Sequence, residues 1–273
     1  MSGRDLRATA AAWIADDPDP ATRAELQALL DEPSPAAAAE LADRFADRLH
    51  FGTAGLRGAV AAGPNRMNVA VVRTATAALA RWLATDRPGS RHAGVVVGCD
   101  ARHGSTEFAD AVTRVLSGAG FRVHALERRR PTPLLAFAVP YLGAAAGVMI
   151  TASHNPPADN GYKLYLGDGA QIVPPVDAEI EALMDEVGDG SGVVDGDLHG
   201  PLVTHHGPEI TRAFLAALAA ESPAPAGAAS LKIVYTPMHG VARGLFEEAL
   251  ARAGFPAPIL VAAQAEPDPD FPT

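Results

Sequence analysis

The hydrophobic positions change their period along the chain. Between residues 5 and 48 they recur at three- and four-residue spacings, which predicts three helices. Trp13 and Ile14 end the first, before the acidic, proline-broken Asp16-Asp17-Pro18-Asp19-Pro20. Asp19 stands where a cap for the second would be, and that helix carries Leu26, Leu29 and Leu30. The third has Leu41, Phe45 and Leu49 on one face. From Phe51 onward, short apolar runs alternate with amphipathic stretches. Asn68 caps a helix with Val72, Ala75, Leu79 and Trp82 or Leu83 aligned. A strand at 94–98, a helix at 105–118, a strand at 121–126 and a short helix at 133–142 follow. Strands at 146–150 and 162–166 come next, then a helix opened by Pro174 and Pro175 that runs to Val187. Strands alternating with helices imply an α/β fold with a mixed, mostly parallel sheet sandwiched by helices.

Residues 188–208 are rich in Gly and Asp and lack an apolar period, so a domain boundary is expected there. Beyond it the pattern predicts a helix at 208–220, an Ala/Pro linker, a strand at 231–235, a helix at 241–253 and a strand at 258–262. That is one βαβ unit, an incomplete second α/β domain, and two strands are thin for an independent core. The expected division is 1–50 as a helical N-terminal extension, 51–200 as the main domain and 201–273 as a partial second domain. The open edge of a half-built sheet favours self-association.

Hydrophobic residues make up 48% of the 273 positions and charged residues 20%, which fits a globular chain with a sizeable core. The formal net charge of −10 argues against nucleic acid or an anionic membrane as partner. A site for a phosphate ester would need clustered Arg and Lys to overcome that field. Cys99 is the single cysteine, so no intrachain disulfide forms and a reducing compartment is expected. It sits at the end of an apolar run and reads as a small core residue, not a nucleophile. No apolar run approaches the ~20 residues of a membrane span. The first residues, Asp5 among them, do not read as a signal peptide, so a cytoplasmic location is expected.

The chemistry concentrates after the apolar run 146–150. Thr151-Ala152-Ser153-His154-Asn155-Pro156 places a serine hydroxyl in a loop beyond a strand end, where open α/β sheets bind ligands. Asn160-Gly161 is expected to turn the chain, so that a returning strand brings Lys163 back towards Ser153. A hydroxyl that accepts and donates a group beside a cation suits phosphoryl transfer. A proline-stiffened loop whose Ser153 and His154 merely cap a helix is the plainer alternative. Phe51-Gly52-Thr53-Ala54-Gly55-Leu56-Arg57-Gly58 lets backbone approach a bound group, with Arg57 to hold a phosphate; a hairpin turn would also explain it. Gly98-Cys99-Asp100-Ala101-Arg102-His103-Gly104-Ser105 follows a strand and opens a helix, with a surface Asp/Arg pair as its simpler reading. Tyr235-Thr236-Pro237-Met238-His239-Gly240 also follows a strand, and His239 alone would be a cap or a solvent contact. His205-His206 has no partner at metal-ligand spacing.

Taken in order, these segments resemble the α-D-phosphohexomutase superfamily of phosphoglucomutases and phosphomannomutases. The helical lead-in ending in FGTAGLRG and the closing Pro267-Asp268-Pro269-Asp270-Phe271-Pro272-Thr273 are most similar to its phosphoglucomutase-2/phosphopentomutase branch. The resemblance implies a phosphosugar mutase, interconverting glucose 1-phosphate and glucose 6-phosphate through a phosphoserine at Ser153 and a bisphosphorylated sugar. It implies Arg57 and Lys163 as acid/base groups and His154 as a further catalytic-loop residue. It places Asn155, Arg102, Thr53 and His239 among substrate- or phosphate-binding positions. Arg102 would support the loop or the serine phosphate. A phosphomannomutase or phosphopentomutase, and a truncated, inactive fragment, are the alternatives. A serine hydrolase is disfavoured because Ser153 lies in Ala-Ser-His and not in a G-x-S-x-G elbow.

The resemblance also implies Mg²⁺, held by three aspartates of a D-x-D-x-D-R loop and one oxygen of the Ser153 phosphate, with glucose 1,6-bisphosphate as activator. Neither Asp195-Gly196-Asp197 nor Asp268-Pro269-Asp270 continues into the third Asp and the Arg. The aspartate ligands are therefore expected to be absent from this sequence, as is the loop that selects the sugar. Phosphorylated hexoses or pentoses are the expected partners, with no nucleic acid and no membrane.

Overall fold

The computed structural model describes residues 3–52, 55–188, 190, 192–221 and 225–273. Helices α1 (Gly3–Asp16), α2 (Pro20–Asp31) and α3 (Pro35–Arg44) form the lead-in. Asp19 accepts from the Ala21 amide and Ser34 from the Ala37 amide, so in α2 and α3 a capping side chain precedes a proline at the helix start. Ala10, Leu26, Leu30, Leu41, Phe45 and Ala62 pack into a cluster of their own. The third helix stops at Arg44, short of Leu49, because Asn65 takes its last carbonyls: its amide bonds Arg44 O and its side chain Asp43 O. Leu49 packs on the main core instead.

The main unit contains β1 (Leu56–Ala59), α4 (Val69–Asp86), the single turn α5 (Ser90–Ala93), β2 (Val95–Cys99), α6 (Ser105–Gly118) and β3 (Val123–Ala125). It continues with α7 (Thr132–Tyr141), β4 (Ala146–Ile150), β5 (Asp159–Leu166), α8 (Val176–Val187) and β6 (Val203–His205). The six strands lie in the order β1-β5-β4-β2-β3-β6. β4, β2, β3 and β6 pair in parallel, and β5 runs antiparallel to both β4 and β1. Five strands thus share one direction, and β5 alone returns.

Alternation along the strands divides the core. Val95, Val97 and Cys99 of β2, with Ala146, Val148 and Ile150 of β4, face the larger cluster, which also holds Val72, Ala75, Leu79 and Leu83 of α4. Val96, Met149 and Tyr165 face the other side, against Leu134, Leu135 and Val139 of α7. Asn68 caps α4 through the Val71 amide and also donates to the carbonyls of Ala61 and Gly63, anchoring the loop ahead of the helix.

Three local expectations change. Asn160-Gly161 is not a turn: both lie inside β5, with Gly58 opposite Asn160 and Arg57 opposite Gly161. The Asn160 side chain is spent on the His103 carbonyl and the Ser105 hydroxyl, and Gly161 is needed because a Cβ there would lie 2.7 Å from Leu56 O and 2.8 Å from Thr151 O. The glycine-rich segment supplies strand β1, which the apolar pattern did not predict. The stretch 188–208 also supplies β6 at the sheet edge, where little side-chain burial is required.

The second unit has α9 (Glu209–Glu221), β7 (Val234–Tyr235), α10 (Arg243–Arg252) and β8 (Ile259–Leu260), with β7 and β8 parallel. It joins the first through α9: Ile210 is buried in the α7 cluster, and Phe214 packs edge-on against Phe137 at 5.4 Å. Cys99 is fully buried, and burial pushes its thiol above the usual range, as suits a core residue. No helix among the described residues is long and apolar enough to cross a membrane.

Candidate functional site

The loop after β4 is tightly specified. Ser153 has φ 58°, a left-handed conformation that a non-glycine residue adopts only when its surroundings impose it. Its amide donates to Thr151 Oγ1 at 2.9 Å. Its carbonyl accepts from Arg102, one of four loop carbonyls that this guanidinium holds. Nη1 bonds Pro156 O at 2.8 Å and Asp159 O at 3.0 Å; Nη2 bonds Ser153 O at 2.9 Å and Asn155 O at 2.8 Å. The Arg102 side chain is 2% exposed, and burial pulls its pKa below the ordinary guanidinium value, opposed by Asp100 and Asp159. Both Nη groups face backbone, so the geometry makes Arg102 a support for the loop and leaves neither group to a serine phosphate. Asp100 in turn accepts from the Arg102 amide and the Ser105 hydroxyl.

Ser153 and His154 are both exposed, and no hydrogen bond joins their side chains among the described residues. A Ser-His nucleophile pair of the hydrolase kind is therefore not built here. Asn155 is fixed at both ends of its amide: Oδ1 accepts from Arg57 at 3.3 Å, and Nδ2 donates to Asp159 at 2.9 Å.

Behind the loop stand two cations on adjacent strands. Arg57 lies on β1, with its Nε buried and without a hydrogen-bond partner among the described residues. Lys163 lies on β5 opposite Met149, is 9% exposed, and has no hydrogen bond or ion pair among the described residues. Burial, and then the charge of Arg57, pull its pKa below the ordinary lysine range; Asp100 opposes them. The sequence-predicted residues Ser153, His154, Asn155 and Arg102 come together around one cavity. Neither Arg57 nor Lys163 lines it: Arg57 touches its wall through Asn155, and Lys163 sits on β5 opposite the lining residue Met149. Thr53 falls outside the described residues.

The cavity encloses about 620 Å³ between the serine loop, the start of α7 at Pro131, and the second unit at His239, Asp268 and Phe271. His239 is 7% exposed and has φ 61°. Its Nε2 lies 2.7 Å from Thr273 Oγ1, and its amide donates to Gln264 O. It is thus a structural anchor of the second unit that also lines the cleft. His206 sits between His124 Nδ1 and Glu209 Oε1, each at 3.1 Å, while His205 bonds a carbonyl.

Mg²⁺ needs several oxygen ligands in near-octahedral order. Among the described residues no three His, Cys, Asp or Glu side chains converge. Asp195 pairs with Arg73 and Asp197 accepts the His199 amide; Asp268 accepts the Asp270 amide and Asp270 bonds His103. These donors do not fit a Mg²⁺ site. Asp100, Asn160 and Asp159 also act in the loop. Asp100 was visible within its motif and Asn160 was read as part of a turn, while Asp159 gave no signal.

Residues 48–190 match the family model "Phosphoglucomutase/phosphomannomutase, alpha/beta/alpha domain I", and residues 212–273 match domain II of the same family. The chain is 36% identical over 289 residues to the phosphoribomutase of Saccharomyces cerevisiae, covering 98% of this chain and 46% of that protein. It is 36% identical over 272 residues to the glucose 1,6-bisphosphate synthase of Homo sapiens, covering 96% and 43%. A solved structure from Thermus thermophilus that carries a phosphomannomutase name superposes with TM-score 0.70 at 32% identity, over 82% of this chain and 47% of that one. The chain thus spans less than half the length of each. With its domain I sheet, the Ser153 loop that joins β4 to β5 within it, and its partial domain II, the chain belongs to the phosphoglucomutase/phosphomannomutase family.

Proposed function

We propose that this chain carries the phosphoryl-transfer centre of a phosphosugar mutase, with Ser153 as the carrier. The observation behind the reading is the strained Ser153 turn, held by Arg102 through four carbonyls, and behind it Arg57 and a buried Lys163 that has no partner among the described residues. In the forward half, phosphoserine 153 gives its phosphoryl group to a free hydroxyl of a sugar monophosphate. The Oγ–P bond breaks, a sugar O–P bond forms, and the hydroxyl proton passes by way of Lys163, acting as a neutral amine, to the departing Ser153 Oγ. Burial and Arg57 favour that neutral form. The bisphosphorylated sugar then turns end for end. Its other phosphate returns to Ser153, whose hydroxyl proton passes back by way of Lys163 to the departing sugar oxygen, leaving the isomeric monophosphate. Asn155 holds Arg57 towards the loop, where its charge opposes that of the phosphoryl oxygens. His154 is exposed beside the carrier and suits substrate contact.

Glucose 1-phosphate and glucose 6-phosphate are the proposed pair, with glucose 1,6-bisphosphate as the priming donor; mannose and pentose phosphates are alternative substrates. The family resemblance calls for Mg²⁺, but the described carboxylates do not fit it, so no step is assigned to a metal. The same observation favours a second reading, in which the isolated chain accepts a phosphoryl group without sustaining turnover. A single free, buried Cys99 suits a reducing cytoplasmic setting.

The test is intact mass before and after incubation with glucose 1,6-bisphosphate and Mg²⁺, followed by peptide mapping. One added phosphoryl on Ser153, absent from Ser153→Ala, supports the reading. An unmodified chain, or an adduct elsewhere, refutes it.

A further inference from the structure

The Arg102 guanidinium has a sixth neighbour beyond its four carbonyls and Asp100. The ring of Phe271, from the second unit, lies over it at 4.8 Å. This is cation–π geometry, and the ring helps to cover a cation whose side chain is 2% exposed and whose Nε lacks a hydrogen-bond partner among the described residues. Phe271 is held in place: its φ is 47°, its amide donates to Asp268 O, and its ring meets that of His239 edge-on at 6.4 Å. The neighbouring Asp270 Oδ1 lies 2.7 Å from His103 Nε2, on the residue next to Arg102. Segment 268–273 is itself tied to its own unit, since the Asp268 amide donates to His239 O and Thr273 bonds the His239 ring.

We infer that Phe271 is a positioning residue for the serine loop: it acts through Arg102 and couples the second unit to the conformation of Ser153. With the ring seated, Arg102 is dry and its charge is directed onto the carbonyls of Ser153, Asn155, Pro156 and Asp159. With the second unit swung away, water reaches the guanidinium, those hydrogen bonds weaken, and the strained Ser153 turn relaxes. The loop is then fully ordered only when the two units close on the cavity. Group transfer at Ser153 is confined in this way to the closed arrangement.

The functional consequence rests on Ser153 being the phosphoryl carrier, whereas the structural coupling does not. The test is amide hydrogen exchange of the full chain. The Asn155 and Asp159 amides, bonded to Ala152 O and Pro156 O at 3.1 Å, report the loop. Phe271→Leu keeps apolar bulk but removes the ring's charge distribution, and it is expected to speed exchange at both amides about tenfold, within the range of a desolvated cation–π contact. Phe271→Tyr keeps the ring and is expected to stay within about twofold of the parent. Amides of α4 and β2 should not change in either. Unchanged loop exchange in Phe271→Leu, equal loosening in both variants, or loss of protection that spreads to α4 would each overturn the inference. If exchange responds as expected but glucose 1,6-bisphosphate leaves no phosphoryl on Ser153, the coupling stands and the carrier reading fails.

Discussion

Lys163→Met is expected to make the protein more stable and to abolish its chemistry. Lys163 is 9% exposed, on the sheet face shared by Met149 and Tyr165, and no described group pairs with its ammonium. Methionine keeps the length of the aliphatic stem and removes the charge. Replacing buried ionic groups by apolar ones of similar volume is often neutral or stabilising, by about 1–4 kcal/mol. Residual solvent contact and the opposing charge of Asp100 place the gain near the lower end, about 1–2 kcal/mol. For a chain of this size that raises the thermal midpoint by about 2–8 °C. The gain should also depend on pH in one direction. The folded pKa of Lys163 is depressed below its unfolded value, so between the two the unfolded chain binds the extra proton and wild-type stability rises with pH. The advantage of Lys163→Met is therefore full below the depressed pKa and fades as pH climbs towards the ordinary lysine range. Differential scanning calorimetry at several pH values measures both effects. A variant that melts several degrees lower at neutral pH, or an advantage that grows with pH, would refute the claim that the ammonium is held at a cost.

Arg102→Lys should loosen the serine loop, because an ammonium cannot reproduce a planar fork onto four carbonyls. The expected loss is about 2–4 kcal/mol from charge-assisted bonds that net ~1.5–3 kcal/mol each and are partly replaced by water, read as faster exchange at Asn155 and Asp159. Gly161→Ala places a Cβ 2.7 Å from Leu56 O, a backbone clash that cannot relax without parting β1 from β5. A loss of about 1–3 kcal/mol in urea titration is expected. Asn68→Ala removes the α4 cap and strands the carbonyls of Ala61 and Gly63, and should cost about 2–3 kcal/mol in the same assay.

Much of this architecture is legible in local pattern. Asn68 with Val72, Ala75 and Leu79 announces α4 because cap and period agree, and 146–150 announces β4 because every residue in it is buried. β1 gives no such signal, since only Leu56 of its four residues is buried and its pairing is supplied by β5. β6 is three residues at an edge with two side chains exposed, so its identity as a strand comes from its neighbour β3. Asn160-Gly161 has the local chemistry of a turn, but tertiary contacts override it through Ser105 and His103. At the site, the Ser153 loop and its companions were visible as motifs. The resemblance left Arg102 between supporting the loop and holding the serine phosphate, because four backbone carbonyls leave no trace in side-chain identity. The partnership with Phe271 spans 169 positions (271 minus 102) and no spacing rule reaches that far.

The most direct test of the central claim is the forward half-reaction, from phosphoserine 153 to the sugar. The chain is phosphorylated with glucose 1,6-bisphosphate, freed of donor, and mixed with glucose 1-phosphate, while the Ser153 phosphopeptide and the sugar products are followed together. A two-way carrier predicts that phosphoryl leaves Ser153 in step with the appearance of glucose 1,6-bisphosphate, one for one. Phosphoryl that stays on the serine, or leaves only as inorganic phosphate, would contradict it.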